Sequence, residues 1–314
     1  MPDRKAALDE LIRRERRAVL VVNTRARRGR QLYRAAKALL VRQGMRLDAT
    51  YPVRNPERLP EIVRDAVAQG HRLIVVGGGD GTISTVVDQL ADRPAVLGVL
   101  PLGTANSFAR TLGIPLNLEG AAQLLTGGGK IADVDLGKID GDCFANSAAI
   151  GYPALVARRV PNMLKRTVGR AAFVLVGAAQ LFSHQPFRCT LSRNGSQIAA
   201  FDDALQILIA NGGYHGGVLI APAADVESRD LVVSVVSGSR ANLLKLWLRA
   251  GSGAAAGAVQ TIFRAADIVI ETDPRQYVSI DGEPVTQTPV RATLARQALL
   301  VMVPPDYRQR RDRE

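Results

Sequence analysis

The chain has 314 residues, 47% of them hydrophobic and 22% charged, with a formal net charge of +12. That length suffices for two ordinary domains, the balance excludes a disordered or fibrous chain, and the longest apolar candidate, Ala171 to Phe182, falls well short of the ~20 residues that cross a bilayer. The charge predicts attraction to nucleic acid, phosphates or an anionic membrane face without choosing among them.

The N-terminal MPDRKAALDELIRRERR is charged and helical in pattern, with no signal-peptide apolar core; cytoplasmic residence is the default. Ala18 to Asn23 reads as a buried strand leading to a basic loop with Arg25, Arg27, Arg28 and Arg30, and a helix is expected over Gln31 to Gln43. Leu47 to Tyr51 reads as a strand, Asn55-Pro56 as a turn, and a helix follows to Gln69. Leu73 to Val76 is a third strand running straight into Gly77-Gly78-Gly79-Asp80-Gly81-Thr82, followed by a helix over Ile83 to Leu90 and a strand over Val96 to Leu100. This alternation predicts a parallel sheet covered on both faces.

The character changes around Gly127 to Gly129. Beyond it come strands at Ile207 to Ala210, Leu231 to Val236, Ile268 to Glu271 and Tyr277 to Ile280, with hairpin turns at Asp140-Gly141 and Asn194-Gly195. Helical stretches cover Ala154 to Phe182 and Asn242 to Gln260. A boundary near Gly128 therefore divides an α/β first domain, 1–128, from a mainly antiparallel β second domain, 129–314, whose C-terminal segment can return to the first. Cys143 and Cys189 form no CxxC pair and read as two buried thiols. His71, His184 and His215 have no metal spacing, and no catalytic role is assigned to them.

The chemistry concentrates in glycine-rich loops. Gly77, Gly78, Gly79 and Gly81 sit where a buried strand meets a helix, so backbone amides can approach phosphate oxygens and Thr82 can donate to them. Asp80 beside phosphates is repulsive unless Mg²⁺ bridges them or it handles a proton; a plain turn with an Asp cap would need fewer glycines. Neither a Walker loop nor a GxGxxG fingerprint fits. After the next strand, Leu100 to Arg110 (LPLGTANSFAR) forms a second strand-to-helix turn, with Gly103 for close approach and Thr104 and Asn106 as phosphate or ribose partners.

GGDGT resembles the phosphate loop shared by diacylglycerol kinases, sphingosine kinases, NAD kinases and phosphofructokinases, and PLGTANSFAR resembles the lipid-kinase branch in particular. Asn146-Ser147 to Gly151-Tyr152, Asn211 to Gly217 and Ile280-Asp281-Gly282-Glu283-Pro284 match further segments of that branch. The resemblance implies ATP held by Asn23, Thr24, Thr50, Gly77 to Gly79, Gly81, Thr82, Gly103, Thr104 and Asn106. It implies catalytic roles for Glu283 as general base and for Asp80, with Asp281 beside the same site. Chemistry is expected in a cleft between a nucleotide domain and a β-rich lipid-acceptor domain. Two departures stand out: Ser107 replaces a usual Asp, and Ser228 and Arg229 stand where bacterial members carry an Asp-Gly turn holding a structural Mg²⁺; Glu227 or Asp230 could substitute, but no metal is assigned there. Mg²⁺ carried with ATP is still expected.

The implied partner is a membrane lipid, diacylglycerol or a relative, at an anionic membrane surface, with no nucleic acid; a homodimer is left open. Two segments could lie on the membrane or pack on the core: Ala154 to Phe182 with Arg158, Arg159, Lys165, Arg166 and Arg170, and Leu243, Leu244, Leu246, Trp247 and Leu248 with Lys245 and Arg249. The tail Arg308, Arg310, Arg311, Arg313 reads as a solubilising end. The alternatives are an NAD kinase-like enzyme or a catalytically weak, membrane-associated regulator.

Overall fold

A computed structural model describes residues 2–26, 28–159, 179–181, 184–222, 224–252 and 260–307. Residues up to Asp135 and those from Arg296 on form one compact unit, and Leu136–Ala295 form a second. The sequence reading divides the chain near Gly128; the structural division falls just after, within a strand.

In the first unit the order is α1 (Pro2–Glu15), β1 (Arg17–Asn23), α2 (Gly29–Arg42), β2 (Arg46–Val53), α3 (Leu59–Ala68), β3 (Leu73–Gly78), α4 (Asp80–Leu90), β4 (Val96–Pro101), α5 (Ser107–Thr111), α6 (Leu118–Gln123) and the start of β5 (Lys130–Ile139). Asn55 ends β2 cleanly: its side chain accepts from the Glu57 N–H, and Pro56 opens a 3-10 turn. The apolar, β-branched runs of β1, β3 and β4 lie in the middle of a run of parallel strand pairs and are buried throughout apart from the ends of β1. All four strand ends are in register, Asn23 opposite Val53, Val22 opposite Gly77, and Gly78 opposite Pro101. The loops that follow them therefore emerge at one edge. The outermost parallel neighbour of β4 comes from the far end of the chain, where Leu300 pairs with Val96.

The second unit contains β6 (Asp142–Phe144), β7 (Ser147–Gly151), α7 (Tyr152–Arg159), β8 (Phe187–Arg193), β9 (Ser196–Ala210), β10 (Tyr214–His215), β11 (Val218–Leu219), β12 (Leu231–Ser237), α8 (Arg240–Ser252), β13 (Thr261–Ala265), β14 (Asp267–Asp273), β15 (Tyr277–Ile280), β16 (Glu283–Gln287) and the start of β17 (Val290–Val303). The pairing is antiparallel, in the order β16-β15-β7-β9-β8-β14-β17, with β12 between β9 and β13. The mixed fold expected from the sequence, a parallel α/β part and an antiparallel β part, is the one found. Asp140-Gly141 and Asn194-Gly195 are hairpin turns with positive φ at both residues, the pairing that matches strand twist.

Two cores explain why β9 changes character along its length. Its second half is buried on both faces: Ile207 and Ile209 join Ala148, Ile150, Val233, Val235 and Ile280 in one cluster, while Leu208 and Ala210 join Tyr152, Val156, Leu243 and Leu246 in another. Leu243 and Leu246 are thus core residues, which resolves that part of α8 in favour of packing, while Leu244 stays 48% exposed. Arg158 lies over the Tyr277 ring at 4.0 Å. Lys165, Arg166, Arg170, Arg27, the tail arginines and the side chains of Trp247, Leu248 and Arg249 lie outside the described residues. Among the described residues no helix is long and apolar enough to cross a membrane.

Both cysteines are buried and form no disulfide, and burial pushes the Cys189 thiol up to about 12. His184 is buried against Tyr152 and Phe187, with Nε2 2.8 Å from the Leu205 carbonyl. Burial pulls its pKa below 6.5, outweighing that carbonyl, and Arg240 adds to the fall. The unfolded chain therefore takes up this proton first. Its stabilising share is complete above pH 6.5 and is lost as pH drops below it. Melting temperature should be flat above neutrality and fall below pH 6.5, and His184→Gln should flatten that slope; equal slopes in both proteins would refute this.

Candidate active site

In the first unit, the two glycine-rich turns follow adjacent parallel strands, β3 and β4, at their carboxyl ends, where α/β sheets bind ligands. They touch backbone to backbone: a Cβ on Gly103 would stand 2.4 Å from the Gly79 Cα. Asp80, the first residue of α4, ties them together, its Oδ1 accepting from the Phe108 N–H at 3.1 Å. Asn106, at φ 49°, spends both ends of its side chain inside its own turn. Its Oδ1 accepts from the Gly103 N–H at 3.0 Å and its Nδ2 donates to the Gly103 carbonyl at 2.9 Å. It shapes the loop, whereas Gly103 and Thr104 are exposed.

Asn23 links the end of β1 to the same place: Nδ2 donates to Thr82 Oγ1 at 3.0 Å, and Oδ1 accepts from the Arg25 N–H. Thr24 and Thr82 are buried. Thr50 pairs with Leu20 and lies three positions short of the edge residue Val53, roughly 10 Å back along the strand. There its Oγ1 accepts from the Tyr33 hydroxyl at 3.0 Å, a partner that no sequence motif signals. Gly77 and Gly78 end β3 and are buried.

Gly81 stands apart. It lies in the first turn of an 11-residue helix, yet an added Cβ there would meet nothing within 4 Å. Glycine costs a helix roughly 0.5–1 kcal/mol relative to alanine, and nothing inside the chain requires it here. Gly81→Ala is thus expected to raise unfolding stability by up to about 1 kcal/mol, whereas Gly103→Ala, whose Cβ would collide with the Gly79 backbone, should lower it. Calorimetric melting separates them; a Gly81→Ala protein no more stable than wild type would show that the fold itself requires the glycine.

In the second unit, β7 begins, and β9 and β15 end, at one sheet end: Ser147 faces Ala210, and Ala148 faces Ile280. Asp281-Gly282 is the β15–β16 hairpin turn, with positive φ at both residues. The Asp281 carboxylate accepts from the backbone N–H of Ala145, Asn146 and Ser147 at 3.2, 3.1 and 3.0 Å. Its oxygens hold the 145–147 segment, while Glu283, one residue past the turn, is exposed. Asn211 Nδ2 donates to the Ala145 carbonyl at 3.0 Å, joining the Asn211–Gly217 segment to the same end.

The Asp225–Asp230 turn at that end closes on itself. Glu227 N–H donates to Asp225 Oδ1 at 3.1 Å, and the Ser228 hydroxyl donates to the Asp230 carbonyl at 2.8 Å. Arg229 sits at φ 61°, keeping the backbone of an Asp-Gly turn without the glycine. A neutral hydroxyl, itself donating to a carbonyl, does not fit the carboxylate-and-carbonyl set that Mg²⁺ or Ca²⁺ prefers. Melting temperature is therefore expected to be the same in EDTA and in millimolar Mg²⁺, and a Ser228→Asp, Arg229→Gly double variant should acquire a Mg²⁺-dependent shift. A wild-type shift with Mg²⁺ would overturn this.

The Diacylglycerol kinase catalytic domain family matches residues 17–139, and the YegS C-terminal NAD kinase beta sandwich-like domain matches 146–303. A Pseudomonas syringae pv. syringae protein named Probable lipid kinase YegS-like is 31% identical, with 93% of this chain and 95% of that one covered. A Pseudomonas aeruginosa protein of the same name is 32% identical over 77% of this chain and 80% of its own. A Bacillus anthracis str. Sterne crystal structure, provisionally named a diacylglycerol kinase, shares the fold with a TM-score of 0.79 at 23% identity, covering 93% of this chain and 97% of its own. The chain belongs to the diacylglycerol kinase catalytic-domain family and is a lipid kinase that uses ATP.

Proposed function

We propose that this protein transfers the γ-phosphate of ATP to a hydroxyl of a membrane lipid, diacylglycerol or a close relative, at an anionic membrane surface. The observation that carries the reading is the pair of apposed turns at the ends of β3 and β4, with Gly81 kept clear at the start of α4. Amide donors and the helix dipole there suit phosphate oxygens. Thr82, held by Asn23, and the exposed Gly103 and Thr104 complete the nucleotide set. Phosphoryl transfer is mainly positioning and charge stabilisation. Mg²⁺ accompanying ATP would neutralise developing phosphate charge, and Asp80, fixed by the Phe108 N–H, is the residue to orient it.

The first unit is the nucleotide domain and the second the acceptor domain in this reading. Glu283 receives the proton of the lipid hydroxyl, a task for which a carboxylate suffices because the loose transition state asks little of the nucleophile. Asp281 holds segment 145–147 in place beside it. The net charge of +12 favours anionic lipid headgroups.

The test is phosphate transfer from ATP with Mg²⁺ to a panel of lipids in mixed micelles, with NAD as a control acceptor. Transfer to a lipid, lost in Asp80→Ala, is expected. Transfer to NAD, or ATP binding without transfer to any lipid alcohol, would refute the assignment.

A further inference from the structure

One contact at the Asp281 end of the second unit is used by none of the roles above. His215 Nδ1 lies 2.7 Å from Ser147 Oγ. Ser147 is buried, its N–H donates to Asp281 Oδ1, and its carbonyl accepts from the Asp281 N–H at 2.9 Å. Ser147 thus stands between the hairpin that carries Glu283 and an imidazole brought in from 68 residues away.

The imidazole arrives on an unusual element. β10 and β11 are two residues each and form a separate two-stranded sheet. Their connection is Gly216-Gly217, both at positive φ, and Leu219 at the far side is 40% exposed. A two-stranded hairpin this short is not stable by its own pairing, so its place depends on ties to its surroundings. The backbone supplies two at its exit, where Ile220 and Ala221 N–H donate to the Gly213 carbonyl. His215 to Ser147 is a side-chain tie that reaches the start of β7.

We infer that His215 is a positioning residue for the lipid acceptor: its bond to Ser147 latches the Tyr214–Leu219 hairpin against the sheet end that presents Glu283. The hairpin then forms part of the acceptor's wall, and the latch sets how tightly the lipid alcohol is held without touching the nucleotide. The inference rests on the lipid-kinase reading of this end of the unit.

The experiment measures transfer from ATP to dioleoylglycerol in mixed micelles, with separate KM values for lipid and ATP. His215→Ala is expected to raise the lipid KM about fivefold, the order of one buried hydrogen bond, with the ATP KM unchanged. His215→Asn, whose amide reaches the place of Nδ1, should recover most of the loss. Ser147→Ala should reproduce the effect, and the double variant should be no worse than either single one, because both remove the same bond. Hydrogen exchange reads the latch independently of turnover: amides of Ala145–Ser147 and of the hairpin should exchange faster in His215→Ala and regain protection in His215→Asn. An unchanged lipid KM, equal rises in both KM values, or unaltered exchange in an active protein would overturn the latch alone. A wild-type protein that phosphorylates no lipid would overturn the acceptor reading and the latch with it.

Discussion

Glu283→Gln is expected to lower kcat by roughly 10²- to 10⁴-fold, the usual contribution of a positioned general base, with little change in melting temperature or ATP affinity. The amide keeps the shape of the carboxylate and loses its basicity. Glu283 is exposed at the start of β16, so the substitution opens no cavity. Turnover with diacylglycerol, alongside calorimetric melting and ATP titration, makes the comparison. Wild-type turnover in this variant would take the base out of the scheme, and a parallel loss of stability would make the residue structural.

The opposite outcome is expected two residues earlier. Asp281→Ala should destabilise the protein by roughly 3–5 kcal/mol, because three backbone N–H groups lose a charged acceptor that none of them can replace locally. Alanine is also strained at the φ of 46° that Asp281 adopts. Asp281→Asn, which tolerates that conformation, should recover part of the loss but not all, since an amide oxygen is a weaker acceptor than a carboxylate. Urea unfolding monitored by circular dichroism reads the difference. An Asp281→Ala protein as stable as wild type would show that the 145–147 segment is held by other means. Together the two variants divide the tripeptide into a residue that acts and a residue that holds.

The segment read as either membrane-lying or core-packed illustrates what apolar patterning leaves open. In Asn242 to Gln260, Leu243, Leu244 and Leu246 are equivalent by composition. The helix turns Leu243 and Leu246 into the core and Leu244 outward, a choice set by which face meets β9 and β12.

Much of the molecule is determined by the sequence alone, and for local reasons. Runs such as Leu73 to Val76 read as buried strands, the pairs Asp140-Gly141 and Asn194-Gly195 as hairpin turns, and the glycines from Gly77 to Gly81 as a strand-to-helix turn, because φ/ψ preferences and apolar periodicity act over a few residues. The motifs GGDGT, PLGTAN and DGE likewise announce the family without reference to the fold. The tertiary structure decided what each residue in them does. Asn106 turns inward to its own loop, Thr50 meets Tyr33 away from the strand ends, and Gly79 needs Gly103 because two loops converge. Asp281 finds its amide donors 134 to 136 residues away, and His215 its serine at a separation of 68. Those pairings arise only when antiparallel strands from distant parts of the chain end at the same place, and sheet order at that range leaves no periodicity in the sequence to read.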